Sequence, residues 1–264
     1  MRTEARLADL LAQDRQLRAV LGADPRFSHV VAYGSVPQGR ADAWSDLEYW
    51  AFVAPGAVVS AEGWLRAHLP VQHFVVNEFG TPTAILPGLH RVELHVEAAT
   101  RLPEIETWTP QQVHPARMLV RDTDGRLAGH LAVLATRRAD PAGEGPRLLD
   151  RLLNWLAFGL NVLARGERVR AHELLGWVQG GLLRLARLQE GATGHWPNAS
   201  RAAEQELSAA ALARYASVTA DLAGLEQAYT HAVAWTLQLA EDLGLPLSAA
   251  LAAELRAWPD HMAP

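Results

Sequence analysis

The segment Tyr33–Tyr49 (YGSVPQGRADAWSDLEY) concentrates side chains suited to handling phosphate and metal. Gly34 has no Cβ, so backbone there can approach a phosphate closely. Ser35 beside it offers a hydroxyl hydrogen bond. A short helix beginning at Val36 would aim free N–H groups at an anion, and Pro37 suits a first helical turn. Asp46 and Glu48 are two apart, so on a strand both point to one face. Two carboxylates on one face suit a hard divalent cation such as Mg2+, which takes oxygen ligands and is commonly shared with substrate phosphates. Such a cation bridges a triphosphate and offsets charge in a transition state. The competing reading makes Asp46 and Glu48 wet-face residues without a role, because Leu47, Tyr49 and Ala51 alternate with them. A lone Gly-Ser or a lone Asp-x-Glu says little; the two in order, each joined to a strand-like run, say more.

Neighbouring residues carry open alternatives. Arg40 is either a triphosphate partner or a solvated loop arginine. Asp42 reads as a turn residue. Trp44 and Tyr49 either stack on a base or pack in the core. No zinc-type histidine spacing such as H-E-x-x-H occurs among the 11 histidines.

The elements that must position these residues follow from periodicity. Leu7, Leu10, Leu11, Leu17 and Val20 give an amphipathic first helix. Phe27–Tyr33 reads as a strand ending at Gly34-Ser35, and Asp46–Val53 as a second strand. Ala61–Leu69 reads as a helix. Strands are expected at Val71–Glu78, Thr83–Leu86, Arg91–Val96 and Met118–Arg121. From about Arg147 the pattern is helical: Arg147–Ala164, Arg170–Gln189, Ser208–Leu222, Glu226–Leu243 and Ser248–Trp258. Asp140–Pro146 (DPAGEGP) is the best boundary. The expected fold is α+β: an α/β domain with a mixed sheet over 1–140, then an all-α helical bundle over 141–264.

Composition bounds the rest. Of 264 residues, 49% are hydrophobic and 20% charged, which excludes a disordered chain. The formal net charge of −5 weighs against a general nucleic-acid binder. With no cysteine, disulfides and thiolate metal sites are excluded, and a reducing cytoplasm fits. All 24 basic residues are arginine, so no Schiff-base or P-loop lysine exists. Neither a signal peptide nor a membrane-spanning helix is expected.

The Gly-Ser…Asp-x-Glu pattern resembles the nucleotidyltransferase superfamily related to DNA polymerase β. Within it the chain is most similar to the lincosamide nucleotidyltransferases, which inactivate antibiotics. YGSVPQGRADAWSDLEYWAF resembles that family's YGS…G…D…SD-I-E-F stretch, with the same Ser-to-Asp interval. RVELHV resembles its R-G-E-F-H-F strand, with Val92 in place of Gly and Leu94 and Val96 in place of Phe. GLNVLARGE (Gly159–Glu167) resembles G-I-N-V-L-x-R-G-E, and the HELLG and LLRLAR runs also fit. The resemblance spans about Ser28 to Gly244.

That resemblance implies a Mg2+-dependent enzyme moving a nucleoside monophosphate from ATP, or another nucleoside triphosphate, to a hydroxyl of a lincosamide. Asp46 and Glu48 would hold Mg2+, and Gly34 and Ser35 would cradle the terminal phosphates. Glu93 would be the third carboxylate of the metal site and the general base. His95, on the same face, would orient the acceptor, ligate metal or substitute as base, with Glu97 ranked below Glu93. A homodimer is expected by the same likeness, with no nucleic-acid or membrane partner. Asn154, Trp155, Asn161 and Glu173 either line the acceptor side of a cleft or serve as helix caps and buried hydrogen bonds. Other acceptors remain open: an aminoglycoside, or a protein or RNA target as in toxin–antitoxin systems. A decayed, non-catalytic binding module is disfavoured because all three carboxylates are present.

Overall fold

The computed structural model describes residues 2–109 and 113–261. The chain divides into two units, Met1–Ala139 and Asp140–Pro264.

The first unit is built on a six-stranded mixed sheet. In chain order its elements are α1 (Arg2–Ala23), β1 (Phe27–Tyr33), β2 (Leu47–Val53), α2 (Ala61–His68), β3 (His73–Val76), β4 (Pro82–Ile85), β5 (Arg91–Ala98), α3 (Pro115–Met118), β6 (Leu119–Asp122) and α4 (Arg126–Thr136). The strand order is β3-β4-β5-β2-β1-β6. Among the described residues only the β2–β5 pair is parallel; the other pairs run antiparallel. The expected strands are all present, with ends shifted by a few residues. Helix α4 has no counterpart in the sequence reading, because its apolar Leu127, Leu131 and Leu134 are separated by small residues that blur the period.

Side-chain alternation gives the sheet two unlike faces. On one, Phe27, Val30, Leu47, Tyr49, Ala51, Val92 and Leu94 are buried against Leu10, Leu17 and Leu21 of α1 and Trp64 and Leu65 of α2. Each fully buried leucine here contributes about 1.5–3 kcal/mol. On the other, Val31 and Phe52 pack under Leu127, Leu131 and Leu134 of α4 together with Leu102 and Ile105. This second core covers the Phe52 end of β2. Glu48 lies towards the opposite end of the same strand.

The second unit is helical: α5 (Gly145–Ala164), α6 (Arg168–Gln189), α7 (Ala203–Glu206), α8 (Ala209–Ser217), α9 (Leu225–Asp242) and α10 (Ala249–His261). The helix expected over Ser208–Leu222 is shorter, α8 ending at Ser217. Helices α5, α6 and α9 share one core of Leu149, Leu152, Leu156, Leu175, Val178, Leu182 and Leu239. Gly159 lets α9 come close: a Cβ there would overlap the ring of Tyr229, whose hydroxyl donates to the Ala171 carbonyl at 2.8 Å. Among the described residues no helix is long and apolar enough to cross a membrane.

Candidate active site

The Gly34-Ser35 turn is built by the end of β1. Gly34 has φ 80°, in the left-handed region, and a Cβ on it would overlap the Glu48 carboxylate. Glycine is therefore required twice over, by conformation and by contact. Ser35 is buried. The residues after it form one tight turn, not the short helix that the Val36–Pro37 pattern suggests. The Gly39 amide donates to the Val36 carbonyl and the Arg40 amide to the Ser35 carbonyl, both at 3.0 Å. Gly39 at φ 71° closes this turn as a left-handed residue closes a helix end, so no helix N-terminus faces the site. Asp42 is a turn residue: its Oδ1 accepts from the Trp44 amide at 2.8 Å and the Ser45 hydroxyl at 3.1 Å.

The carboxylates come together through the parallel β2–β5 ladder. Glu48 is paired in register with Glu93, and Trp50 with His95. Asp46 stands just before β2. Arg91, at the head of β5, spans the gap: its Nη1 donates to Asp46 Oδ2 at 2.6 Å and its Nη2 to Glu93 Oε1 at 2.8 Å. Burial pushes the Asp46 and Glu93 carboxyls above their ordinary values, and Arg91 pulls both back down. The charge on Asp46 adds to the rise at Glu93. The Tyr33 phenol is pushed well up by burial and then by Glu48 and Glu93, while a hydrogen bond with Trp50 opposes the rise. Arg40 is half-buried in the same loop.

Aromatic rings border the acidic end. Trp50 lies flat on His95, with ring centroids 4.0 Å apart and planes 8° from parallel. Trp108 packs on both Trp50 and Tyr33, at 5.2 and 5.7 Å. Burial pushes the His95 imidazole down, and Glu97 opposes it. Glu97 is itself tied to Arg101 at 2.6 Å. Of the two aromatic candidates, Tyr49 belongs to the core. It is buried on the opposite face and donates to Asp14 Oδ1 at 2.5 Å. Trp44 is 70% exposed beneath the Arg6 guanidinium.

Arg91, Trp50 and Trp108 were not readable as site residues. Arg91 and Trp50 sit one strand-step from Glu93 and Glu48, so the period-two rule contained the signal; Trp108 is placed by a loop. In the helical unit Asn154, Asn161 and Glu173 are exposed, so they are not buried hydrogen-bonding groups. Trp155 stacks on Trp177 at 5.5 Å. Gly166, in the RGE run, has φ 79° and ends α5.

A second group of possible metal ligands joins β1 to the start of α4. His29 Nε2, Asp122 and Asp124 offer atoms all within 4.8 Å of one another. The Asp122 oxygens accept from the Gly125 and Ala128 amides, and Nε2 is 2.8 Å from Asp124 Oδ1, a hydrogen-bond spacing. With His29 buried and Asp124 exposed, this group ties β1 to the start of α4.

The residues at the first site fit a hard cation. Asp46 and Glu93 already share one cation, the Arg91 guanidinium, and both are carboxylates raised by burial, the condition that a dication relieves.

Comparison with known proteins bears on the helical unit. No curated protein matches the chain in sequence. A solved aminoglycoside 6-adenyltransferase from Bacillus subtilis is 12% identical, over 94% of this chain and 96% of that one, with TM-score 0.41. A nucleotidyltransferase-like protein from Exiguobacterium sibiricum 255-15 is 14% identical, over 95% of this chain and 89% of that one, with TM-score 0.41. Residues 145–255 match the family described as lincosamide nucleotidyltransferase-like, C-terminal domain. The match lies within the helical unit and includes the Gly159–Glu167 run.

Proposed function

We propose that the chain is a Mg2+-dependent nucleotidyltransferase that moves a nucleoside monophosphate from a nucleoside triphosphate, ATP by preference, to a hydroxyl of a small molecule. By the family that its helical half matches, the acceptor is a lincosamide. The observation that carries this reading is the pairing of Glu48 with Glu93 across parallel strands, beside Asp46 and against Gly34, where a Cβ would overlap the Glu48 carboxylate.

In this reading the Gly34-Ser35 turn receives the terminal phosphates, with the Ser35 hydroxyl as donor and Arg40 beside it. Asp46 and Glu48, with Glu93, would hold the Mg2+ ion, which supplies charge neutralisation for the phosphates. Glu93 accepts the proton of the acceptor hydroxyl. The acceptor oxygen forms a bond to the α-phosphorus as the bond from that phosphorus to the β-bridging oxygen breaks, and pyrophosphate leaves with that electron pair. Burial raises the proton affinity of Glu93, which strengthens it as a base, and the Arg91 charge opposes that rise. Burial disfavours the charged form of His95, and its ring lies flat against Trp50, which suits it to accept or donate a hydrogen bond at the acceptor. The likeness also favours a homodimer in a cytoplasmic setting.

The test is incubation with lincomycin or clindamycin, ATP or GTP, and Mg2+, read by mass spectrometry. An acceptor mass raised by one nucleoside monophosphate, with pyrophosphate released, is expected. An adduct on an aminoglycoside instead would replace the acceptor and keep the chemistry. Transfer to none of these acceptors, with metal and nucleotide bound, would remove the small-molecule assignment.

A further inference from the structure

Arg91 is the strongest feature of the site that the chemistry above leaves without a duty. It lies two residues before Glu93, on the same face of β5. Its guanidinium makes two charge-assisted hydrogen bonds, to Asp46 at 2.6 Å and to Glu93 at 2.8 Å. These are two of the three carboxylates assigned to the metal. A guanidinium and a divalent cation cannot both take the same oxygens at full strength, so the two compete. The side-chain exposures show which group is free to yield: Arg91 is 41% exposed, Asp46 28% and Glu93 12%. Glu93 is fixed within β5 and Asp46 sits at the entry to β2 on a short side chain, whereas the arginine is long and reaches from the strand head towards solvent.

We propose that Arg91 is an internal cation that holds the place between Asp46 and Glu93 until a divalent cation takes it over, after which its guanidinium turns to the phosphates of the nucleotide. This rests on the metal-site reading given above. In the metal-free protein Arg91 keeps two partly buried carboxylates from facing one another uncompensated. Once released, its planar fork matches a phosphate, and in a chain without lysine arginine is the side chain that stays cationic at every working pH. Arg91 would thus act as a positioning residue in one state and a nucleotide ligand in the other.

The experiment measures Mn2+ binding by electron paramagnetic resonance without nucleotide, then binding of a non-hydrolysable ATP analogue at saturating Mg2+. Wild type, Arg91→Gln, Arg91→Lys and Asp46→Asn are compared. Removing a competing charge a few ångströms from the cation should tighten Mn2+ binding about tenfold in Arg91→Gln, while analogue binding weakens about tenfold. Arg91→Lys keeps the charge but loses the fork, so both changes shrink to about threefold; it also serves if Arg91→Gln does not fold. A merely structural arginine would leave Mn2+ affinity unchanged or weaker when replaced. That result in either folded variant overturns the proposal. Asp46→Asn separates the two readings: Mn2+ binding as strong as wild type there would sink the metal site itself, whatever Arg91 does.

Discussion

Glu48 and Glu93 face each other across the parallel β2–β5 ladder, although they lie 45 positions apart in sequence. An antiparallel hairpin joins strands by a short turn, but a parallel pair needs a longer crossover. Here α2 and the β3–β4 hairpin fill that crossover, and β4 pairs on β5 with Thr83 opposite Glu93. The base of the proposed reaction is therefore held on both sides by strands, which fixes its position better than a loop would.

Neutralising the buried carboxylates should trade activity for stability. Both Asp46 and Glu93 have folded-state values raised above ordinary ones, chiefly by burial. A raised carboxylate favours the folded state below its ordinary range, and this advantage is lost as pH rises through the folded value. Above the folded value the ionised group carries the full cost. Asp46→Asn and Glu93→Gln are expected to raise the Tm of the metal-free protein by about 2–4 °C. Turnover should fall about 10²–10⁴-fold. Differential scanning calorimetry in EDTA and a product assay check the pair; a lowered Tm in both variants would contradict the burial account.

Gly34→Ala should be costly despite its size. The position needs φ 80° and direct contact with Glu48. Left-handed strain alone costs about 1–2 kcal/mol, and the displaced Glu48 should lose turnover by a larger factor. Urea denaturation and the product assay on the same preparation measure both effects. Gly56 is also at positive φ, but a Cβ there meets nothing within 4 Å. Gly56→Ala should thus show the backbone cost without loss of activity.

His95 should make the first unit sensitive to acid. Its folded value is depressed by burial, so the folded protein binds fewer protons than the unfolded chain. Stability contributed this way is present above the ordinary histidine value of 6.5 and is lost as pH falls through it towards the folded value. The stability of wild type relative to His95→Gln should therefore fall between pH 7.5 and pH 5.5. Urea titrations in EDTA at those two pH values give the difference directly, and a constant difference would refute it.

Arg187 should be the most sensitive polar position of the helical unit. Its guanidinium is fully buried and donates to the carbonyls of Ala192, Ala199 and Arg201 and to Glu206. It ties the irregular chain after α6 back onto that helix. Arg187→Ala leaves three carbonyls without that donor and takes one partner from Glu206, which also pairs with His195 at 2.7 Å, a loss of about 3–5 kcal/mol. Chemical denaturation with tryptophan fluorescence follows it, and a change below about 1 kcal/mol would show that water replaces the arginine.

What the sequence by itself determined was local. Alternation placed β1 and β2, because Leu47, Tyr49 and Ala51 must bury while Asp46 and Glu48 cannot. That pattern, with Gly34-Ser35, put the carboxylates and the tight turn on the page without coordinates. Helical periodicity drew α5, α6 and α9 nearly to the residue. Tertiary structure decided everything that depends on which strand lies beside which. Strand order made Glu93 the neighbour of Glu48, put Arg91 between two carboxylates, and laid Trp50 on His95. It also buried Tyr49 away from the site and closed the Val36–Gly39 turn before a helix could form. The physical reason is range. Propensity and period act over a few residues, whereas a site assembled across a parallel ladder is set by the burial of the whole sheet.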